Sequence, residues 1–91
     1  MEVSKAIKKT VKSIIKIQFK KSINEIKKSC KQGQYRCKIE LVDYRTEHGN
    51  NINNKVIEKL RTLGYSIGST EVTANGDVKN VFWEQKEKQI L

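Results

Sequence analysis

Ninety-one residues with 19 Lys and Arg against 10 Asp and Glu, a formal charge of +9, and 36% hydrophobic residues describe one small basic domain. A chain of this size buries little apolar surface, so a homo-oligomer that shares burial between copies is expected. No apolar run approaches the roughly 20 residues that cross a bilayer, and the N-terminal stretch lacks the apolar core of a secretion signal, which points to a cytoplasmic protein with no membrane partner.

The charge is uneven. Residues 1–31 hold ten lysines against Glu2 and Glu25, whereas residues 32–91 hold nine Lys and Arg against eight Asp and Glu. Such a concentration speeds encounter with phosphates or acidic surfaces without selecting among them, although lysines are equally the ordinary residues of a solvated helix face.

Residues 3–31 contain neither Gly nor Pro. Val3, Ile7, Val11 and Ile14 recur at helical spacing, followed by Ile15, Phe19, Ile23, Ile26 and Cys30 on a displaced stripe. Either one long helix carries a drifting stripe, or two helical segments meet near Ile17 to Lys20. One rod would be about 40 Å long, more than a core of this size can cover. Lys5, Lys8, Lys9, Lys12 and Lys16 would lie opposite the leading stripe. The chain therefore divides into a basic amphipathic arm over 1–32, a small α/β core over 33–83 and a polar tail over 84–91.

Gly33 fits a helix stop. Tyr35, Cys37, Ile39 and Leu41 then alternate with Arg36, Lys38 and Glu40, the period of a half-buried strand running to about Val42. Asp43 to Asn51 reads as a long polar loop, the kind of segment that carries function on compact domains but also tolerates insertion. A second helix is expected from Asn53, with Asn53 as cap, Ile52 stapled onto Ile57, the face Val56, Ile57, Leu60 and Leu63, and Gly64 as its stop. Tyr65, Ile67 and Val72 mark a second strand interrupted at Gly68 by a bulge or bend. Asn75-Gly76 signals a hairpin, and Val78, Val81, Phe82 and Trp83 form the third strand. Tyr35, Tyr65, Phe82 and Trp83 are expected in the core, and Cys30 and Cys37 as reduced, buried small hydrophobes. The predicted fold class is α+β: a long basic N-terminal helix, then strand-helix-strand-strand, with a three-stranded mixed sheet ordered 1-3-2 and the helices on one face.

The basic helix, Gly33-Gln34-Tyr35-Arg36-Cys37-Lys38-Ile39, the segment Val56-Ile57-Glu58-Lys59-Leu60-Arg61-Thr62-Leu63-Gly64-Tyr65 and the glycine hairpin ending in Trp83 together resemble a group of small bacteriophage-encoded proteins, over about residues 20–83. The resemblance implies a phage origin, a setting in the cytoplasm of an infected bacterium and a role in countering host defence. The 43–51 loop departs from that group in its length.

His48 is the one histidine, and with two separated cysteines it gives no metal-ligand spacing. There is no phosphate-binding glycine loop, nucleophile elbow or distinctive acid pair, so neither an enzyme nor a cofactor is expected. Glu40, Glu47 and Glu58 read as solvated charges. The expected function is sequestration of an anionic nucleotide-derived defence signal. Arg36 and Lys38 on the strand, Tyr44, Arg45 and His48 in the loop, and Lys20 and Lys27 from a neighbouring helix would converge on it, with Tyr44 stacking on a base and Arg gripping phosphates. The alternatives are sequence-nonspecific nucleic-acid binding through the lysine helix, or an inhibitor docking on an acidic host protein surface.

Overall fold

A computed structural model describes residues 1–74 and 76–83. In chain order these form α1 (Val3–Lys31), β1 (Arg36–Glu40), α2 (Gly49–Thr62), β2 (Ser66–Thr73) and β3 (Gly76–Phe82). The strands lie in the order β1-β3-β2. This is the expected α+β architecture, with one change of label. Both ladders, β1 with β3 and β2 with β3, are antiparallel. β1 and β2 run in the same direction, as a crossover requires, but each pairs only with β3, so the sheet is antiparallel and not mixed.

α1 is one continuous helix of 29 residues, about 43 Å long at 1.5 Å per residue. Nothing in residues 3–31 breaks it, and the stripe is free to drift because only the C-terminal half packs on the sheet. Ile26 is buried, with Ile15, Phe19 and Ile23 half-buried against the core, whereas Val3 and Ile17 are 75% and 53% exposed. The arm expected over 1–32 is thus free only in its leading half. At the other end Gly33 takes φ +76, its N–H donates to the Cys30 carbonyl at 3.0 Å, and the Gln34 N–H reaches back to Ser29 at 2.9 Å. That left-handed glycine turn satisfies the last carbonyls and sends the chain into β1.

The core cluster unites Ile26 of α1, Ile39 of β1, Leu41 just beyond it, Val56, Ile57 and Leu60 of α2, and Val81 of β3. At about 1.5–3 kcal/mol for each such side chain removed from water, these seven supply most of what holds the layers together. Tyr65 and Trp83 pack against the cluster and meet edge to face, centroids 6.0 Å apart. Two other aromatics depart from expectation. Tyr35, which precedes β1, is 59% exposed. Phe82 follows the buried Val81, so the strand period turns it to the helix-free face, where its ring lies so close to Gly68 that a Cβ there would come within 2.7 Å of it. Cys37 is half-buried as expected but Cys30 is exposed on the last turn of α1; both are free thiols.

α2 starts five residues earlier than the sequence implied. His48, not Asn53, precedes its first turn, and the Ile52 N–H donates to the His48 carbonyl at 2.9 Å. The reason is burial: Ile52 joins the i, i+4 stripe with Val56 and Leu60, so the helical period runs back through it. Asn53 is needed elsewhere. Its Oδ1 accepts from the Val42 N–H at 3.2 Å and its Nδ2 donates to the Val42 carbonyl at 2.6 Å. The last three residues of the expected 43–51 loop are therefore helix, and the rest is a tight turn built on Asp43. The bulge expected at Gly68 is present, as a register shift between Ile67 and Thr70. Thr73 pairs with Gly76, which places the hairpin reversal between them, and Asn75 lies outside the described residues, as does the 84–91 tail.

Candidate functional site

β1 is an edge strand. Its free side and the flank of α1 enclose an open groove of about 1140 Å³. The helix wall carries Lys21, Lys27, Lys28 and Lys31, with Glu25 among them; the strand side is formed by Lys38, Glu40 and Val42. Glu25 takes one of these charges, lying 3.4 Å from Lys28 Nζ. The spacing explains the wall: Lys21 and Lys28 are two helical turns apart, each directly before a buried serine, Ser22 or Ser29. At the far end lies Asp77, 4% exposed, whose Oδ2 accepts from Asn53 Nδ2 at 3.4 Å while Oδ1 has no hydrogen-bond partner among the described residues.

The seven residues expected to form one ligand site occupy separate places. Lys27 and Lys38 both line the groove, although Lys38 Nζ lies 3.6 Å from Glu71 across the helix-free face. Arg36 is exposed on that same face. Lys20 is exposed on α1 and does not line the groove. Tyr44, Arg45 and His48 belong to the turn before α2 and do not line it either. Arg45 is moreover occupied: its Nε and Nη2 donate to the two oxygens of Asp43, each at 2.9 Å, and its own N–H donates to Oδ1. Those bonds hold the Asp43 carboxyl below its ordinary value and raise the guanidinium, so this fork is engaged internally and not poised for phosphate. The Asp43 carbonyl accepts from the Thr46 hydroxyl at 2.8 Å and the Thr46 N–H at 3.2 Å, completing a self-satisfied turn.

No family model matches the chain, and no curated protein or solved structure matches it. The groove must therefore be read on its own chemistry. Among the described residues there is no group of three or more His, Cys, Asp or Glu placed to hold a metal, and no helix long and apolar enough to cross a membrane. His48 Nε2 lies 3.8 Å from Glu47 Oε1 on the surface. Burial pushes the Cys37 thiol up from its ordinary value, which keeps it in the unreactive neutral form. What the groove offers is electrostatic: a helical row of ammonium groups above an exposed strand edge, open along its length. Sequence reasoning missed Lys21, Lys28 and Lys31. The signal was there, since lysines adjoining buried positions of a helix line its flanks, but it becomes readable only once Ser22 and Ser29 are known to be buried.

Proposed function

We propose that this protein is a non-catalytic binding protein that captures an extended anionic partner in the groove between α1 and β1. The observation that carries the reading is the lysine-rich wall, Lys21, Lys27, Lys28 and Lys31 with Glu25 among them, on one side of an open channel. An open channel suits a ligand that continues past its ends, such as a nucleic-acid backbone or an acidic protein segment. The closed pocket wanted by a small nucleotide-derived signal would need a second copy, because Tyr44, Arg45 and His48 are not at this groove. The exposed apolar residues Val3 and Ile17 on the free half of α1 support such a homo-oligomer. Capture of an anion by a small basic protein remains in keeping with the anti-defence role that the phage resemblance implies in an infected bacterium.

The test is fluorescence anisotropy with a labelled single-stranded oligonucleotide, a labelled acidic peptide and a labelled cyclic dinucleotide, each against the protein and against a Lys21→Ala, Lys28→Ala, Lys31→Ala variant. At least one extended probe should bind, and the variant should lose affinity by tenfold or more with a flatter dependence on salt, by about 0.7 per lost contact for single strands. Extended-probe binding unchanged in the variant would remove the groove as the site, and tight binding of the dinucleotide alone would replace the extended partner by a small one.

A further inference from the structure

We propose that the outer edge of β1 accepts an acidic, extended segment of another protein as an added strand, so that the partner is read through its backbone as well as its charge. This rests on the anionic-partner reading above and narrows it to polypeptide. The parity of the β1 ladder is fixed at both ends. The Leu41 N–H donates to the Asp77 carbonyl at 2.7 Å and the Trp83 N–H donates to the Tyr35 carbonyl at 3.0 Å, so the odd-numbered residues of this stretch exchange bonds with β3. Arg36, Lys38 and Glu40 therefore turn their N–H and C=O groups outward. The next outward residue, Val42, already has both groups taken by the Asn53 amide, which marks where an added strand would stop. From Arg36 to Glu40, five residues or about 17 Å of strand, this edge is unpaired among the described residues.

An edge this short with Arg36 and Lys38 on it is guarded against indiscriminate pairing. The guard is charge, net positive with Glu40 at its far end, and a strand that is acidic opposite Arg36 and Lys38 satisfies it: its side chains on the helix-free face meet Arg36 and Lys38, and those turned into the groove meet Lys21 and Lys28 of α1. A second copy is a poorer occupant, because its β1 would bring its own lysine-bearing α1 against this one. A nucleic acid supplies phosphate but not the alternating donors and acceptors that this edge presents.

The experiment uses the full chain and a labelled peptide, acetyl-Glu-Val-Glu-Ile-Glu-Val-Glu-amide, with its lysine counterpart, a 20-base-pair duplex and N-methylated versions of the acidic peptide as comparisons. Anisotropy should show binding of the acidic peptide, with amide hydrogen exchange slowed at Arg36, Lys38 and Glu40. N-methylation at one alternate set of peptide residues should cost about tenfold and at the other set little, since only one set faces the edge. Lys38→Pro, which deletes an outward N–H while sparing the β3 ladder, should weaken binding more than Lys38→Ala. Peptide binding without amide protection, or indifference to both N-methyl sets, would overturn strand addition. Binding of the duplex but not the peptide would overturn it while sustaining the anionic-groove reading, and binding of neither would end both.

Discussion

Asn53→Ala tests whether a side-chain amide, in place of a neighbouring strand, terminates the β1 edge. The substitution removes both bonds to Val42, at 3.2 and 2.6 Å, and the longer one to Asp77 at 3.4 Å. It strands the Val42 N–H and C=O, and it removes the amide donor to Asp77, whose Oδ1 already has no partner among the described residues. An unsatisfied buried group costs about 1–3 kcal/mol, with the lower end fitting the half-buried Val42 and the upper end the buried Asp77. The sum is about 2–4 kcal/mol, a large share of the roughly 5–13 kcal/mol typical of a domain this size. Urea unfolding followed by circular dichroism should show a midpoint lower by about 2–4 M at an m-value of about 1 kcal/mol/M. Asn54→Ala, exposed one residue on, should change stability by less than about 0.5 kcal/mol. Asn53→Asp should be at least as damaging as Ala, because it keeps the acceptor for Val42 but sets a second carboxylate beside Asp77. A loss below about 1 kcal/mol for Asn53→Ala at unchanged m would refute the clamp, since water would then be serving Val42 as well as the amide does.

Gly76→Ala should prevent folding or cost about 3 kcal/mol or more, because φ there is +140 and the new Cβ would collide with the Leu41 carbonyl oxygen. Gly33→Ala, with nothing within 4 Å of its Cβ, should cost only the left-handed backbone term of about 1–2 kcal/mol; thermal melts of the two variants make the comparison. The Asp43 carboxyl, titrated by carbon NMR, should have its midpoint below the ordinary value of about 3.9, and Arg45→Ala should move it most of the way back, the Arg45 backbone N–H accounting for the remainder. Because the folded value is the lower one, this contribution to stability is present above about pH 4 and is lost as pH falls through the folded midpoint, so Arg45→Ala should flatten the acid limb of the stability curve.

Most of the fold was legible because its signals are local and redundant. Gly33 ended α1, the alternation through Cys37 and Ile39 gave β1, Gly68 marked the bulge, and the one crossover between β1 and β2 left the third strand to insert between them. The misreadings share a cause. Asn53 was read as a cap because cap residues are recognised by type, yet its amide serves Val42, eleven positions back, a partner that spacing along the chain does not reveal. Phe82 was read as core because aromatic strand residues usually are, but the neighbouring Val81 already occupied the helix-facing position. The candidate site was less legible than the fold. Arg45 looked like a phosphate ligand until Asp43, two residues earlier, proved to hold its guanidinium, and Lys21 and Lys28 looked like any others among ten lysines.

The charge of α1 and the edge of β1 are better understood together than apart. A lysine-rich helix alone is explained by solubility, and a short edge strand carrying Arg36 and Lys38 alone is explained by protection from aggregation. Solubility does not require Lys21 and Lys28 to flank the buried stripe, where they overlook the edge, since eight other lysines already cover α1. Protection does not require the edge to be left open between Arg36 and Glu40 when the Asn53 amide shows that this fold can close it at Val42. In the proposed complex, a groove whose lysines outnumber Glu25, Glu40 and Asp77 and whose strand edge is unpaired among the described residues is improved by an acidic strand, because each new backbone bond is formed beside lysines that the same strand neutralises. The coupling makes the two contributions non-additive: removing the charge should weaken the effect of removing the N–H, which separates strand addition from simple attraction to a basic surface.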